Sequence, residues 1–210
     1  MSDVVSEPSA GTSGAAAGKR ERTKAANRAA ILGAAREVFA DIGYGAATVR
    51  DIVRRTDLAT GTFYNYFPDK ESVLTALLDE TAGEARVRVQ AARREGATLE
   101  AFVRDGFAAY FDFLLEDRQT SELLARNAGT IRALFQEPSL VAGVEELADD
   151  LRAGVAAGLI PDHDVEYMAA SMVGAAFEVG ARMLESDDPD PARATDFISG
   201  LFIAGLRAAA

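Results

Sequence analysis

Apolar residues in this 210-residue chain recur at the spacing of a helix face, and no convincing stretch alternates as a strand would. Side chains three and four apart share one side of a helix, whereas a half-buried strand alternates residue by residue. Ile31, Ala34, Ala35, Val38, Phe39 and Ile42 keep the helical period, and Gly43 supplies a left-handed stop. Thr48, with Asp51 three residues on, reads as the N-cap of a short helix to about Arg55. Thr60 is the next N-cap candidate, for a helix to about Phe67 that Pro68 interrupts. Asp69 opens a long helix with Val73, Leu74, Leu77, Leu78, Thr81 and Ala85 in register, ended by Gly96. Four further long helices are predicted over about 98–117, 121–135, 138–158 and 164–185, and a last one over about 190–207. The expectation is an all-α fold with no sheet and no internal repeat.

The net charge of −11 argues against a nucleic-acid partner until its distribution is considered. Residues 19–70 hold ten Lys/Arg against six Asp/Glu, net +4, and residues 71–210 hold twelve against twenty-five, net −13. A basic segment on an acidic body is expected where one end of a molecule meets a polyanion. Residues 1–18 are rich in Ser, Gly and Ala and are expected to be a disordered leader. Lys19, Arg20, Arg22 and Lys24 form a basic arm, either a minor-groove or backbone contact or a solvated tail. With no Cys there can be no disulfide and no thiolate metal site, which suits a cytoplasmic protein. No membrane association is expected: the longest nearly apolar run, residues 168–184, is short and carries Glu178 and Arg182.

The helices at about 24–42, 48–55 and 60–67 make a three-helix unit whose last two members are joined by a short turn at Asp57, Leu58 and Ala59. That is a helix-turn-helix, whose second helix can enter a DNA major groove. Phe63 and Phe67 are four apart and can pack inward on Phe39, Ile52 and Val53. Thr62, Asn65 and Tyr66 then face outward, with Tyr64 at the margin. A solvated helix would show Lys and Glu there, whereas hydroxyls, an amide and rings suit base edges, phosphates and thymine methyls.

The stretch TVRDIVRRTDLATGTFYNYFPDKESVL, residues 48–74, resembles the DNA-binding domain of the TetR family, and the resemblance runs from Arg28 to Leu78. It implies a helix-turn-helix domain over residues 19–68 and a helical ligand-binding and dimerisation domain over residues 69–210. It further implies that Thr48 bonds a phosphate, that Arg50 reads a base, and that Thr60, Gly61, Thr62 and Tyr64 approach the bases. Tyr66 and Lys70 would bond phosphates, while Asn65 departs from the larger aromatic or His that the family often carries there. The resemblance also implies that the partner is double-stranded DNA with a palindromic operator, read by a homodimer built on helices at about 164–185 and 190–207.

The second domain carries more large apolar residues than one stripe per helix. Phe107, Tyr110, Phe111, Ile131, Phe135, Met168, Met172 and Phe177 are candidates to line a pocket for a small hydrophobic effector, with plain core as the alternative for each. Asn127 falls on an apolar face, where its amide must meet either a ligand or a helix end. Glu178 and Arg182 are spaced to pair with each other. His163, in a Pro-Asp-His-Asp turn, reads as a loop residue rather than a metal ligand, and no enzymatic motif appears. No cofactor and no metal are expected. The predicted mechanism is a switch: a bound effector displaces the helix that begins at Asp69 and moves the DNA-reading helices out of register.

Overall fold

The computed structural model describes residues 12–134 and 138–208. Among these, nine helices and no strand are found: α1 (Thr12–Ala46), α2 (Val49–Val53), α3 (Thr60–Tyr64), α4 (Lys70–Glu95), α5 (Leu99–Glu116), α6 (Arg118–Ala133), α7 (Pro138–Ala156), α8 (Val165–Leu184) and α9 (Pro191–Ala208).

Local chemistry sets most of the boundaries. The helical path of α1 breaks at Gly43, whose φ of 78° and ψ of 154° are disfavoured for a residue with a Cβ. Thr48 and Asp51 form a full capping box on α2, and Asp69 and Ser72 form another on α4. Thr98 caps α5 and Asp164 caps α8.

Several boundaries differ from expectation, among them the end of α3, which falls at Tyr64 rather than near Phe67. Residues 12–18 are helical rather than irregular, since Ala15–Ala17 and the Lys/Arg/Glu run after them favour helix. The N-cap of α3 is Ala59, which offers no side-chain bond, so Thr60 is the first helical residue. Helix α6 starts at Arg118, not near Ser121, because the Asp117 carboxylate accepts from the amides of Gln119 (3.3 Å) and Thr120 (2.9 Å).

Two apolar cores result. One gathers Ile31, Val38 and Phe39 of α1, Ile52 of α2, Phe63 and Phe67 from α3 and the turn after it, and Val73, Leu74 and Leu77 of α4. The other gathers Phe102, Val103, Phe107 and Phe111 of α5 with Leu147 and Leu151 of α7, Met172 of α8 and Ile198 of α9. Two helices serve both: α4 gives Leu77 to the first and Ala85 to the second, and α6 places Leu123 and Ile131 in the first while Leu124 packs against both. Ile42, expected in the α1 stripe, is instead about half exposed, because Gly43 turns the chain immediately after it.

Candidate DNA-binding face and effector cavity

The short α3 helix is fixed from beneath. Phe63 is fully buried, Phe67 nearly so, and their rings lie 6.1 Å apart. The i, i+4 pair thus becomes an anchor, as the spacing predicts. On the far side Thr60, Gly61, Tyr64 and Asn65 are exposed, and Thr62 and Tyr66 are half-buried. Tyr64, expected at the margin, is 55% exposed, its ring edge-on to Phe63 at 5.4 Å. Tyr66 leans toward α1, where its hydroxyl accepts from Asn27 Nδ2 at 3.2 Å. Its own O–H remains able to donate to an acceptor outside the protein.

Gly61 lowers the helix propensity of α3, and a Cβ added there would meet nothing within 4 Å. No internal packing therefore demands a glycine. A bare backbone at this position suits close approach by something outside the protein.

Two residues assigned to phosphate have protein partners. The Thr48 hydroxyl donates to Asp51 Oδ2 at 2.5 Å, and the Thr48 amide donates to the same oxygen at 3.0 Å. The Thr48 hydroxyl bond, then its amide, hold the Asp51 carboxyl below its usual range, so an anion already sits on the donors expected for phosphate. Lys70 Nζ donates to the carbonyls of Tyr44 (2.7 Å) and Ala47 (2.9 Å) and lies 4.3 Å from the Tyr44 ring centre. It closes the carbonyl end of α1, with one of its three N–H groups left over. Arg50 is exposed on α2, and the arm from Lys19 to Lys24 is exposed on α1 as helix rather than a loose tail.

Asn127 resolves in favour of a helix end. Its Oδ1 accepts from the Tyr44 amide at 2.7 Å, and its Nδ2 donates to Phe39 O (3.1 Å) and Leu123 O (2.7 Å). The amide is buried and fully engaged, and it fastens α6 to the bend of α1.

The second core borders a half-open cavity of about 190 Å³. Of the predicted lining, Phe107, Tyr110, Ile131, Met172 and Phe177 are on its wall. Phe111 and Met168 are not: Phe111 is fully buried in the core, Met168 packs against that core, and Asn127 is used as described. Phe135 lies outside the described residues. The sequence reading missed the α4 wall of Leu78, Thr81, Ala85, Arg86, Val89 and Arg93. Its signal was present, since Thr81, Ala85, Val89 and Arg93 continue the i, i+4 stripe of α4.

Arg93 is nearly buried and pairs with Asp150 of α7 at 2.9 Å. Burial pushes its pKa down and Asp150 opposes this. Gly106 makes room for it, since a Cβ there would come within 2.9 Å of Arg93 Cγ. Arg86 pairs with Glu146 of α7 at 3.4 Å. Glu178 pairs not with Arg182 but with Arg132 of α6, through contacts of 2.6 and 2.7 Å, while Arg182 meets Glu185. The planar guanidinium of Arg132 matches both carboxylate oxygens at once. No metal-holding group and no helix able to cross a membrane is found among the described residues.

Helices α1–α3 and their exposed α3 face form a helix-turn-helix domain on a helical, cavity-bearing body. The model of bacterial regulatory proteins of the tetR family matches residues 31–77, the stretch that holds most of the first core and the whole of α2 and α3. It is 36% identical over 90 residues to the HTH-type transcriptional repressor KstR2 of Rhodococcus jostii, a match covering 41% of this chain and 44% of that protein. The chain thus spans under half the length of that curated relative. The structure of the fatty acid degradation regulator FadR from Bacillus halodurans is similar over 86% of this chain and 96% of its own, with a TM-score of 0.71 and 25% identity. FadR from Bacillus subtilis, solved in complex with stearoyl-CoA, is similar over 84% of this chain and 97% of its own, with a TM-score of 0.70 and 26% identity.

Proposed function

We propose that this protein is a cytoplasmic, dimeric transcription repressor that reads a palindromic DNA operator through α3 and is released by a small hydrophobic effector in the cavity. The observation that carries the reading is the division of α3: Phe63 and Phe67 are in the core, while Thr60, Gly61, Tyr64 and Asn65 are exposed beside it. Gly61, Thr60 and Tyr64 meet the bases, with Thr62 and Asn65 beside them. Arg50 reads a base from α2, Tyr66 and the third N–H of Lys70 meet the backbone, and Thr48 contributes chiefly as a cap. Phosphate contacts position the protein, and α3 carries the sequence preference.

The dimer uses α8 and α9. Tyr167, Phe197 and Leu201 are 76%, 66% and 59% exposed, too much apolar surface to leave in water on adjoining helices. The matched structures support an effector site, since one of them is a FadR bound to stearoyl-CoA. The effector acts through α4 and α6, because Leu78, Leu124 and Ile131 line the cavity and also pack in or against the core under α3. Asn127 lies between Leu124 and Ile131 on α6 and carries any shift of that helix to the bend of α1.

Selection from a random duplex pool, followed by gel shifts at several salt concentrations, tests the DNA half. A palindromic site with a steeply salt-dependent affinity is expected. Tyr64→Ala and Asn65→Ala should each weaken the selected site by about 1–3 kcal/mol and relax its sequence preference. No complex at low salt overturns the reading.

A further inference from the structure

The cavity is apolar on most of its wall, and its polar residues are Thr81, Arg86, Arg93, Tyr110 and Glu146. Four of them are already matched. The Thr81 hydroxyl donates to Leu77 O at 2.9 Å within its own helix. Arg93 and Asp150 form an ion pair, as do Arg86 and Glu146, so the two cations at the α4 wall are balanced by two carboxylates from α7. Tyr110 differs. Its ring rests 5.5 Å from that of Phe111, and among the described residues its hydroxyl has no hydrogen-bond partner. Burial alone pushes its pKa upward, which keeps it a neutral phenol.

We infer that the effector is an uncharged apolar molecule carrying a hydrogen-bonding oxygen, such as an ester, ketone or alcohol, and that Tyr110 is the residue that binds that oxygen. This rests on the proposed reading of the cavity as an effector site. The physical reason is asymmetric. A hydroxyl on the wall of an apolar cavity without a partner is costly, and a ligand that supplies one removes that cost as it binds. A free anion gains nothing comparable. To meet Arg93 it must displace Asp150, and a carboxylate forced out of that nearly buried pair is left without compensation, while Glu146 already offsets the charge of Arg86. A site built around one unmatched hydrogen-bonding group also rejects an analogue that lacks the complementary atom.

The test uses the full chain and displacement of N-phenyl-1-naphthylamine, a neutral apolar fluorophore, by four probes: methyl octanoate, 1-octanol, octanoate and n-octane. In the unmodified protein methyl octanoate should bind about tenfold more tightly than octanoate. In Tyr110→Phe the ratio of methyl octanoate to n-octane affinity should fall about tenfold, with 1-octanol following the ester. The fluorophore's own affinity is measured in both proteins, and the probes are compared as ratios within each. Tyr110→Phe removes no internal hydrogen bond, so its urea midpoint should be maintained, which separates loss of binding from loss of fold. Octanoate binding as tightly as its ester, or an unchanged ester-to-alkane ratio in Tyr110→Phe, overturns the inference and leaves the effector reading standing. If none of the four displaces the fluorophore, or the fluorophore itself does not bind, the effector reading fails and the inference with it.

Discussion

The core beneath α3 and the core around α5 are built from the same kinds of side chain and finished differently. Phe39, Phe63, Ile31, Ile52, Leu74 and Leu77 are fully buried and close the first. The second has a cavity of about 190 Å³ among residues of comparable size. A filled core holds each side chain in one place, as presenting a reading surface in fixed geometry requires. An unfilled one forgoes dispersion contacts that a guest can restore. The boundary between them is thin: Leu78 and Ile131 belong to the closed core and also line the cavity. A guest in the second core therefore presses on the first without any intervening relay.

The largest effect that distinguishes the two cores comes from the same truncation made in each. Phe63→Ala removes a fully buried ring from a closed site and should cost about 3–5 kcal/mol in urea denaturation, with loss of DNA binding. Phe107 is also nearly buried, but its ring lies on the cavity wall. The new void there merges with an old one, so Phe107→Ala should cost clearly less, about 2–3 kcal/mol. Equal costs would mean that the cavity is no softer than the rest of the protein.

Asn127 tests whether the two regions melt together. Asn127→Ala leaves the Tyr44 amide and the Phe39 carbonyl without their partner on α6. A buried unsatisfied group costs about 1–3 kcal/mol, and the loss should appear as earlier hydrogen exchange at Tyr44 and in α2 and α3, with α5 and α9 still protected. Uniform loss of protection would show that the regions unfold as a single unit and that Asn127 joins nothing separable.

The two regions also differed in how much of them could be read from residues alone. In the first, turn and cap chemistry is local: Gly43, Thr48 with Asp51, and Asp69 each mark a boundary within a few residues of where it falls. The Phe63–Phe67 spacing then fixes which side of α3 is buried; of Thr62, Asn65 and Tyr66, expected to face outward, Asn65 is exposed while Thr62 and Tyr66 are half-buried. Periodicity could not rank Tyr64 above Tyr66, because the burial of Tyr66 depends on Asn27, 39 positions away. Nor could it show that Lys70 reaches back to Tyr44 and Ala47. In the second region the stripes of α5, α6 and α8 found five of the predicted wall residues, since any helix turned toward the core offers its apolar face. They could not separate wall from core: Phe111 follows Tyr110 by one residue, yet it is packed solid while Tyr110 lines the cavity. That distinction depends on how far apart α4, α5 and α7 are held, and the Arg93–Asp150 pair that spans α4 and α7 joins residues 57 apart.

A smaller effect should appear in acid. The Asp51 carboxyl is held below its usual range by the Thr48 hydroxyl and amide, Asp69 by the Ser72 amide and hydroxyl, and Asp117 by the Thr120 hydroxyl and amide. A depressed folded-state pKa means that these groups stabilise the fold fully above their unfolded value of about 3.9. The contribution is lost as pH falls through the lower folded value. Asn keeps the cap oxygen but does not titrate, so Asp51→Asn with Asp69→Asn should flatten the decline of the urea midpoint below about pH 4. Because both residues belong to the first region, its melting should change most. If the acid limb instead follows Asp117→Asn alone, acid sensitivity belongs to α6.

The smallest change in stability should accompany one of the largest changes in function. The Tyr64 ring is more than half exposed and Asn65 is exposed beside it, and neither side chain has a hydrogen-bond partner among the described residues. Tyr64→Ala and Asn65→Ala should therefore move the urea midpoint by no more than about 0.5 kcal/mol, as for most surface substitutions. Lys70→Ala provides the contrast, since it also removes the donor that closes the carbonyl end of α1 and should lower stability and DNA affinity together. Circular dichroism and gel shifts on the same three variants separate the cases. If Tyr64→Ala loses stability as Lys70→Ala does, the exposed side of α3 is a packing surface awaiting a protein partner. If it loses only DNA affinity, the closed core under α3 serves to keep that side chain where a duplex can reach it.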